Sequence, residues 1–149
     1  MAPRTSSACA RVAWLESTRV DLVRLLLDTS VVIDHLRGDP RAVELLKESV
    51  LAGQELWSVT VVRTEVRAGM RRGEERATES LLEALQWQAV TAEIADRAGD
   101  LARRYLKSHP GVDTVDYLIA ATTEALDARL LTLNTRHFPM VPDLEPAYR

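Results

Sequence analysis

Apolar residues recur along this chain in two rhythms. Four short runs are almost continuously apolar: Arg24-Leu-Leu-Leu-Asp28, Leu56-Trp-Ser-Val59, Trp87 to Val90 and Leu130-Leu-Thr-Leu133. Between them lie longer stretches with apolar residues three and four apart, as at 42, 43, 45, 46 and 50 within Arg41 to Leu51. The short runs read as buried strands and the periodic stretches as helices. Ser30 is placed to cap a helix over Val31 to Leu36, which Gly38-Asp39-Pro40 ends. Further helices are predicted over Arg41–Leu51 (closed by Gly53), Thr60–Met70 and Glu74–Leu85, and from a cap at Thr91 to about Leu106. After the break at His109-Pro110-Gly111, a last helix opens at Asp113 or Thr114 and runs through Ala128. Pro139, Pro142 and Pro146 exclude a long terminal helix. Buried strands alternating with helices imply an α/β fold with a parallel sheet covered on both faces.

Residues 23–149 show no internal repeat and no linker that would divide them. Residues 1–22 differ: they mix Ser, Thr, Ala and scattered Arg, and Arg11 interrupts the apolar patch from Ala8 to Leu15. A secretory signal needs an unbroken apolar centre, so that reading is poor. A flexible tail or a short surface helix is expected there, with a natural start near Val23 as the alternative.

Composition narrows the function. The chain has 149 residues, 46% of them apolar, enough for one core without disulfides or structural metal. Its net charge of −3 does not suit a protein that coats nucleic acid by bulk charge. Two divalent cations bound among its acids would reverse that sign, so a metal-dependent nuclease stays open. The single cysteine, Cys9, excludes an internal disulfide and points to a reducing compartment, the cytoplasm. Cys9, His35, His109 and His137 have no zinc-ligand spacing, and no apolar run approaches a membrane span.

The acids are more informative. Asp28 ends the first strand, where open parallel sheets gather their ligands. It is also readable as a helix cap, although Ser30 is available for that role. Glu65 falls five residues after Thr60, on the helix following strand two, which should neighbour strand one. On its own it reads as a solvated helix residue flanked by Arg63 and Arg67. Asp116 sits in Val115-Asp-Tyr-Leu-Ile-Ala-Ala121, a helix start so apolar that an acid within it needs a partner or a cation. Asp113 is one turn earlier on the same face; two such carboxylates repel unless positive charge lies between them. The alternative is a plain pair of helix N-terminal acids. An all-oxygen set of Asp28, Glu65, Asp113 and Asp116 suits Mg²⁺ or Mn²⁺. Arg63, Arg67 and Arg71 read as a basic stripe beside them, for RNA phosphates, for an acidic partner tail, or merely solvated.

Four segments together resemble the PIN domain of VapC toxins: Leu25-Leu-Leu-Asp28-Thr-Ser-Val-Val-Ile-Asp34, Glu65 after Val59-Thr-Val-Val, Val112-Asp113-Thr-Val-Asp116-Tyr-Leu-Ile-Ala-Ala-Thr122, and Leu130-Leu-Thr-Leu-Asn134-Thr-Arg-His-Phe138. The resemblance covers residues 24 to about 148. It implies a Rossmann-like three-layer α/β/α sandwich and a Mg²⁺- or Mn²⁺-dependent endoribonuclease silenced by a cognate VapB antitoxin. Asp28 and Asp116 are then the expected metal ligands, and Glu65 binds metal or orients water. Many members of the family place a fourth acid where this chain has Asn134, which puts a second metal site in doubt; Asp113 is our candidate substitute. A homodimer, and a heterotetramer or larger assembly with the antitoxin, are also implied. Ala42 to Val50 and Val61 to Met70 would wall the groove for an antitoxin helix.

Three rivals compete. One is a catalytically inactive PIN fold serving as an antitoxin-bound interaction module, supported by the missing fourth acid. An aspartyl-phosphate phosphatase wants a second acid two residues after Asp28, where Ser30 stands. A serine hydrolase lacks its G-x-S-x-G elbow.

Overall fold

The computed structural model describes residues 22–149, so the expectation for the N-terminal tail lies outside the described residues except at Leu22. Leu25, Leu26 and Leu27 are almost wholly withdrawn from solvent, because β1 (Arg24–Leu27) is an inner strand with helices over both faces. β1 pairs in parallel with β2 (Glu55–Val59) on one side and β4 (Arg129–Leu131) on the other, and β3 (Gln86–Gln88) adds beyond β2. The order is therefore β3-β2-β1-β4. The expected parallel sheet and the adjacency of strands one and two are both present.

Six helices join these strands. α1 (Thr29–Leu36) and α2 (Pro40–Leu51) link β1 to β2, and α3 (Thr60–Ala68) and α4 (Glu75–Ala84) link β2 to β3. α5 (Ala92–Tyr105) and α6 (Thr114–Ala125) lead back across the sheet to β4. α1 packs on α2, α3 and α4, while α5 packs on α6. With right-handed crossovers, the first four cover one face and the last two the other, a three-layer sandwich. α5 shows why such helices form: Thr91 caps it by accepting from Ile94 N at 3.2 Å, and Ile94, Ala98 and Leu101 make one buried stripe.

The structure moves several boundaries. α1 begins at Thr29, and its cap is Asp28, not Ser30: Asp28 is extended (φ −73°, ψ 159°) and its carboxylate accepts from Thr29 N. α3 stops at Ala68 because Gly69 closes it, short of Met70. α6 stops at Ala125, three residues short of Ala128, because Asp127 takes a left-handed conformation (φ 48°) that aspartate tolerates. β3 ends at Gln88, and Val90 turns its N–H to Thr60 Oγ1 at 3.3 Å. β4 ends at Leu131, where Thr132 leaves the ladder. The tail then runs through a 3₁₀ turn (Thr135–His137) and buries Phe138 in the core.

Candidate active site

The chain leaves β1 in one direction toward β2 and β3, and returns on the other side at β4. Beyond the carboxyl ends of β1 and β4 this reversal opens a crevice. A cleft of about 300 Å³ lies there, lined among others by Asp28, Glu65, Asp113, Asp116, Asn134 and His137. All four acids singled out in the sequence reach this one cleft, from three separate stretches of chain. Asn134, at the position where a fourth acid was sought, lines it too.

Asp28 is 5% exposed and held by donors on every side. Thr29 N donates to Oδ1 at 2.7 Å; Ser30 Oγ and Thr132 Oγ1 donate to Oδ2 at 3.1 and 2.7 Å. Asp28 N itself donates to Leu131 O at 3.0 Å, extending the β1–β4 ladder by one step. Ser30 Oγ also accepts from Leu133 N at 3.2 Å, so it ties α1 to the loop after β4. The capping role weighed against a functional one for Asp28 is thus real, and it does not remove the carboxylate from the cleft.

Glu65 stands one and a half turns into α3 and accepts a hydrogen bond from the Thr29 hydroxyl. Asp113 and Asp116 form a capping box: Asp113 Oδ1 accepts from Asp116 N at 3.0 Å, and Asp116 Oδ2 accepts from Asp113 N at 3.1 Å. Both are helix N-terminal acids and both line the cleft, so capping does not take either out of it. Asp113 is exposed; Asp116 is only 7% exposed. Burial pushes the Asp116 carboxyl up from its ordinary value to about 6. The amide of Asp113 opposes this, the charge of Asp113 adds to it, His137 opposes it and Asp28 adds again.

His137 was not anticipated. Its Nδ1 lies 3.3 Å from Asp116 Oδ2, and among the described residues no other basic side chain pairs with any of the four acids. The segment Asn134-Thr-Arg-His137 was visible as part of a motif, but nothing in its spacing signalled that a 3₁₀ turn would bring the ring to Asp116. Thr29, Ser30 and Thr132 were likewise missed, since hydroxyls near strand ends are too common to stand out.

The arginine stripe does not line the cleft. Arg63 stacks over Trp87 at 5.2 Å, Arg67 pairs with Glu79 at 2.7 Å, and Arg71 lies beyond the end of α3, where its N–H donates to Glu74.

The donor set fits a hard divalent cation in its chemistry: carboxylate oxygens, two of them on buried residues, with no lysine or arginine paired to them among the described residues. Among the described residues no three His, Cys, Asp or Glu side chains enclose an ion by themselves. Mg²⁺ does not require that, since it binds through one or two carboxylates and keeps several waters.

Comparison with known proteins follows the same line. The PIN-domain family model matches residues 25–144. The chain is 52% identical over 123 residues to Ribonuclease VapC19 of Mycobacterium tuberculosis, covering 83% of this chain and 98% of that protein. It is 42% identical over 125 residues to Ribonuclease VapC10 of the same organism, covering 83% and 92%. A chain in a toxin-antitoxin complex from Klebsiella pneumoniae superposes with a TM-score of 0.68 over 84% of this chain and 98% of that one. At 24% identity this last likeness is one of fold.

Proposed function

The chain belongs to the PIN-domain family, and on that premise we propose that it is the toxin of a type II toxin–antitoxin pair, an endoribonuclease using Mg²⁺ or Mn²⁺. The observation that carries this reading is the meeting of Asp28, Glu65 and Asp116 in one cleft at the sheet's switch point. The ribonucleases VapC19 and VapC10, alike over most of their length, support it. The inactive-module reading rests on Asn134 alone, while the other acids are all in place.

Asp28 and Asp116 would hold the cation. When bound, it supplies positive charge that favours deprotonation of water and offsets charge on a phosphodiester oxygen. The chain's own groups do the rest. Glu65, steadied by Thr29, is placed to orient a water molecule and accept its proton. The donors around Asp28 keep its carboxylate aimed, so little reordering is needed when substrate arrives. His137 lies at the mouth, 47% exposed at the side chain, where an RNA phosphate would pass.

A VapB-type antitoxin is the partner this reading supplies, with a homodimer that becomes a heterotetramer or larger when antitoxin binds, in the cytoplasm. No helix among the described residues is long and apolar enough to cross a membrane. A narrow groove between α1, α3 and α4, lined by Ile33, Leu36, Val66 and Met70 together with Arg37, Glu74 and Thr78, is where an amphipathic antitoxin segment would touch this face. Ala42 and Leu46 of α2 point into the core and are not available as its wall; Val43 and Val50 are exposed.

Incubating the purified chain, freed of any partner, with total RNA and either metal tests the proposal. Cleavage by the wild type and none by Asp28→Ala is the expected result. Failure of the wild type to cut with either metal, with equal harmlessness of both proteins on expression, overturns it.

A further inference from the structure

Asp28 is aimed by groups at two places: Ser30 in the first turn of α1 and Thr132 just past β4. Its geometry therefore depends on how α1 sits against the end of β4. Two consecutive residues at the C-terminus join these elements. Ala147 N donates to Thr132 O at 2.9 Å, on the same residue whose hydroxyl holds Asp28. The Tyr148 hydroxyl then donates to Asp34 Oδ2 at 2.8 Å, on α1, 114 residues away. The tyrosine ring is gripped from the other side by Arg41, whose guanidinium lies 5.2 Å from its centre and is fixed to Asp39, the cap of α2.

We propose that Ala147 and Tyr148 form a strap that holds α1 against the end of β4, and that Tyr148 is a positioning residue for Asp28 although it lies outside the cleft. The tail also packs Met140, Val141 and Leu144 on the core, which any covering segment would do. What a mere cover does not require is a tyrosine hydroxyl directed at a carboxylate on α1 while the preceding amide binds Thr132. Asp34, quoted within the first motif but given no role there, gains one as the anchor. The strap is a property of the fold; its effect on cleavage rests on the proposed ribonuclease activity.

Amide hydrogen exchange on the full chain, without metal, separates the two. In Tyr148→Ala, protection at Asp28 and Leu133 should drop about tenfold or more relative to wild type, while amides of the β2–β3 ladder keep theirs. Tyr148→Phe, which keeps the ring over Arg41, should show a smaller drop at the same positions. Asp34→Asn, which retains an acceptor, should behave nearly as wild type where Asp34→Ala does not. Unchanged exchange at Asp28 and Leu133, or loss spread evenly over the sheet, overturns the strap. With RNA and Mg²⁺, Tyr148→Ala should lower kcat about tenfold or more with KM little altered. A wild type that cuts no RNA defeats the ribonuclease reading, and exchange alone then decides the strap.

Discussion

The hydroxyl of Thr132 donates to Asp28 Oδ2 at 2.7 Å across 104 residues of chain. Both residues are buried, and this bond adds a side-chain tie between the ends of β1 and β4 to the backbone bond from Asp28 N to Leu131 O. Thr132→Ala removes a buried donor from a carboxylate and should destabilise the protein by about 1–3 kcal/mol. Cleavage should fall as well, because Asp28 loses an aiming contact. Thr132→Ser should recover most of both. Denaturant titrations and initial rates on the three proteins decide it; a serine variant as impaired as alanine would mean that the methyl group, not the hydroxyl, matters.

Asp116→Asn should abolish cleavage yet stabilise the metal-free protein. The folded carboxyl titrates near 6, above its ordinary range, so the folded state binds the proton more tightly than the unfolded chain. Stability conferred by this group is therefore complete at pH below about 4, declines as pH rises through about 6, and stays low beyond. The asparagine variant lacks that decline and can still accept from Asp113 N. At neutral pH with chelator its melting temperature should exceed the wild type's by about 2–4 °C, with the gap closing toward pH 4. A lower melting temperature across that whole range would contradict the assignment.

Asn134 lines the cleft as a neutral side chain. Asn134→Asp should let cleavage reach half its maximum at roughly tenfold lower Mg²⁺, since a carboxylate holds a hard cation better than an amide. An unchanged Mg²⁺ requirement would place residue 134 outside the cation's reach.

Away from the cleft, Asp39 caps α2, accepting from Arg41 N at 2.9 Å, and hydrogen bonds from the Arg41 side chain hold its carboxyl down at about 2. Asp39→Ala should lower the melting temperature at neutral pH, because the first turn of α2 loses its side-chain cap. The ionised cap's share is present above about pH 4 and fades as pH falls toward 2. Asp39→Asn should keep most of the cap and lose the pH dependence. Thermal melts at pH 7 and pH 3 measure both.

How much of this was readable beforehand depends on distance along the chain. Leu25 to Leu27 announced an inner strand by being uniformly apolar, and Asp116 announced itself as an acid where only a buried helix face made sense. Both signals are local. His137 against Asp116 and Thr132 against Asp28 are contacts between segments whose approach is set by the return of the chain to β4, which no spacing encodes. For Arg63 and Arg67 the stripe was visible, but their partners Trp87 and Glu79 come from other elements and were not. Asp28 was misjudged more subtly. Ser30 had the right chemistry for a cap, yet the extended backbone at the strand's end gave that task to the acid itself.

Among the described strands, the one that completes the cleft comes after the other three in chain order. Asp28 leaves the ribosome 104 residues before Thr132, and His137 and Ala147 follow later still. A growing polypeptide therefore carries Asp28 and Glu65 for a time without the neighbours that arrange them. The assembled centre cannot exist before those later residues emerge, and that interval of synthesis is open for a partner to be on hand.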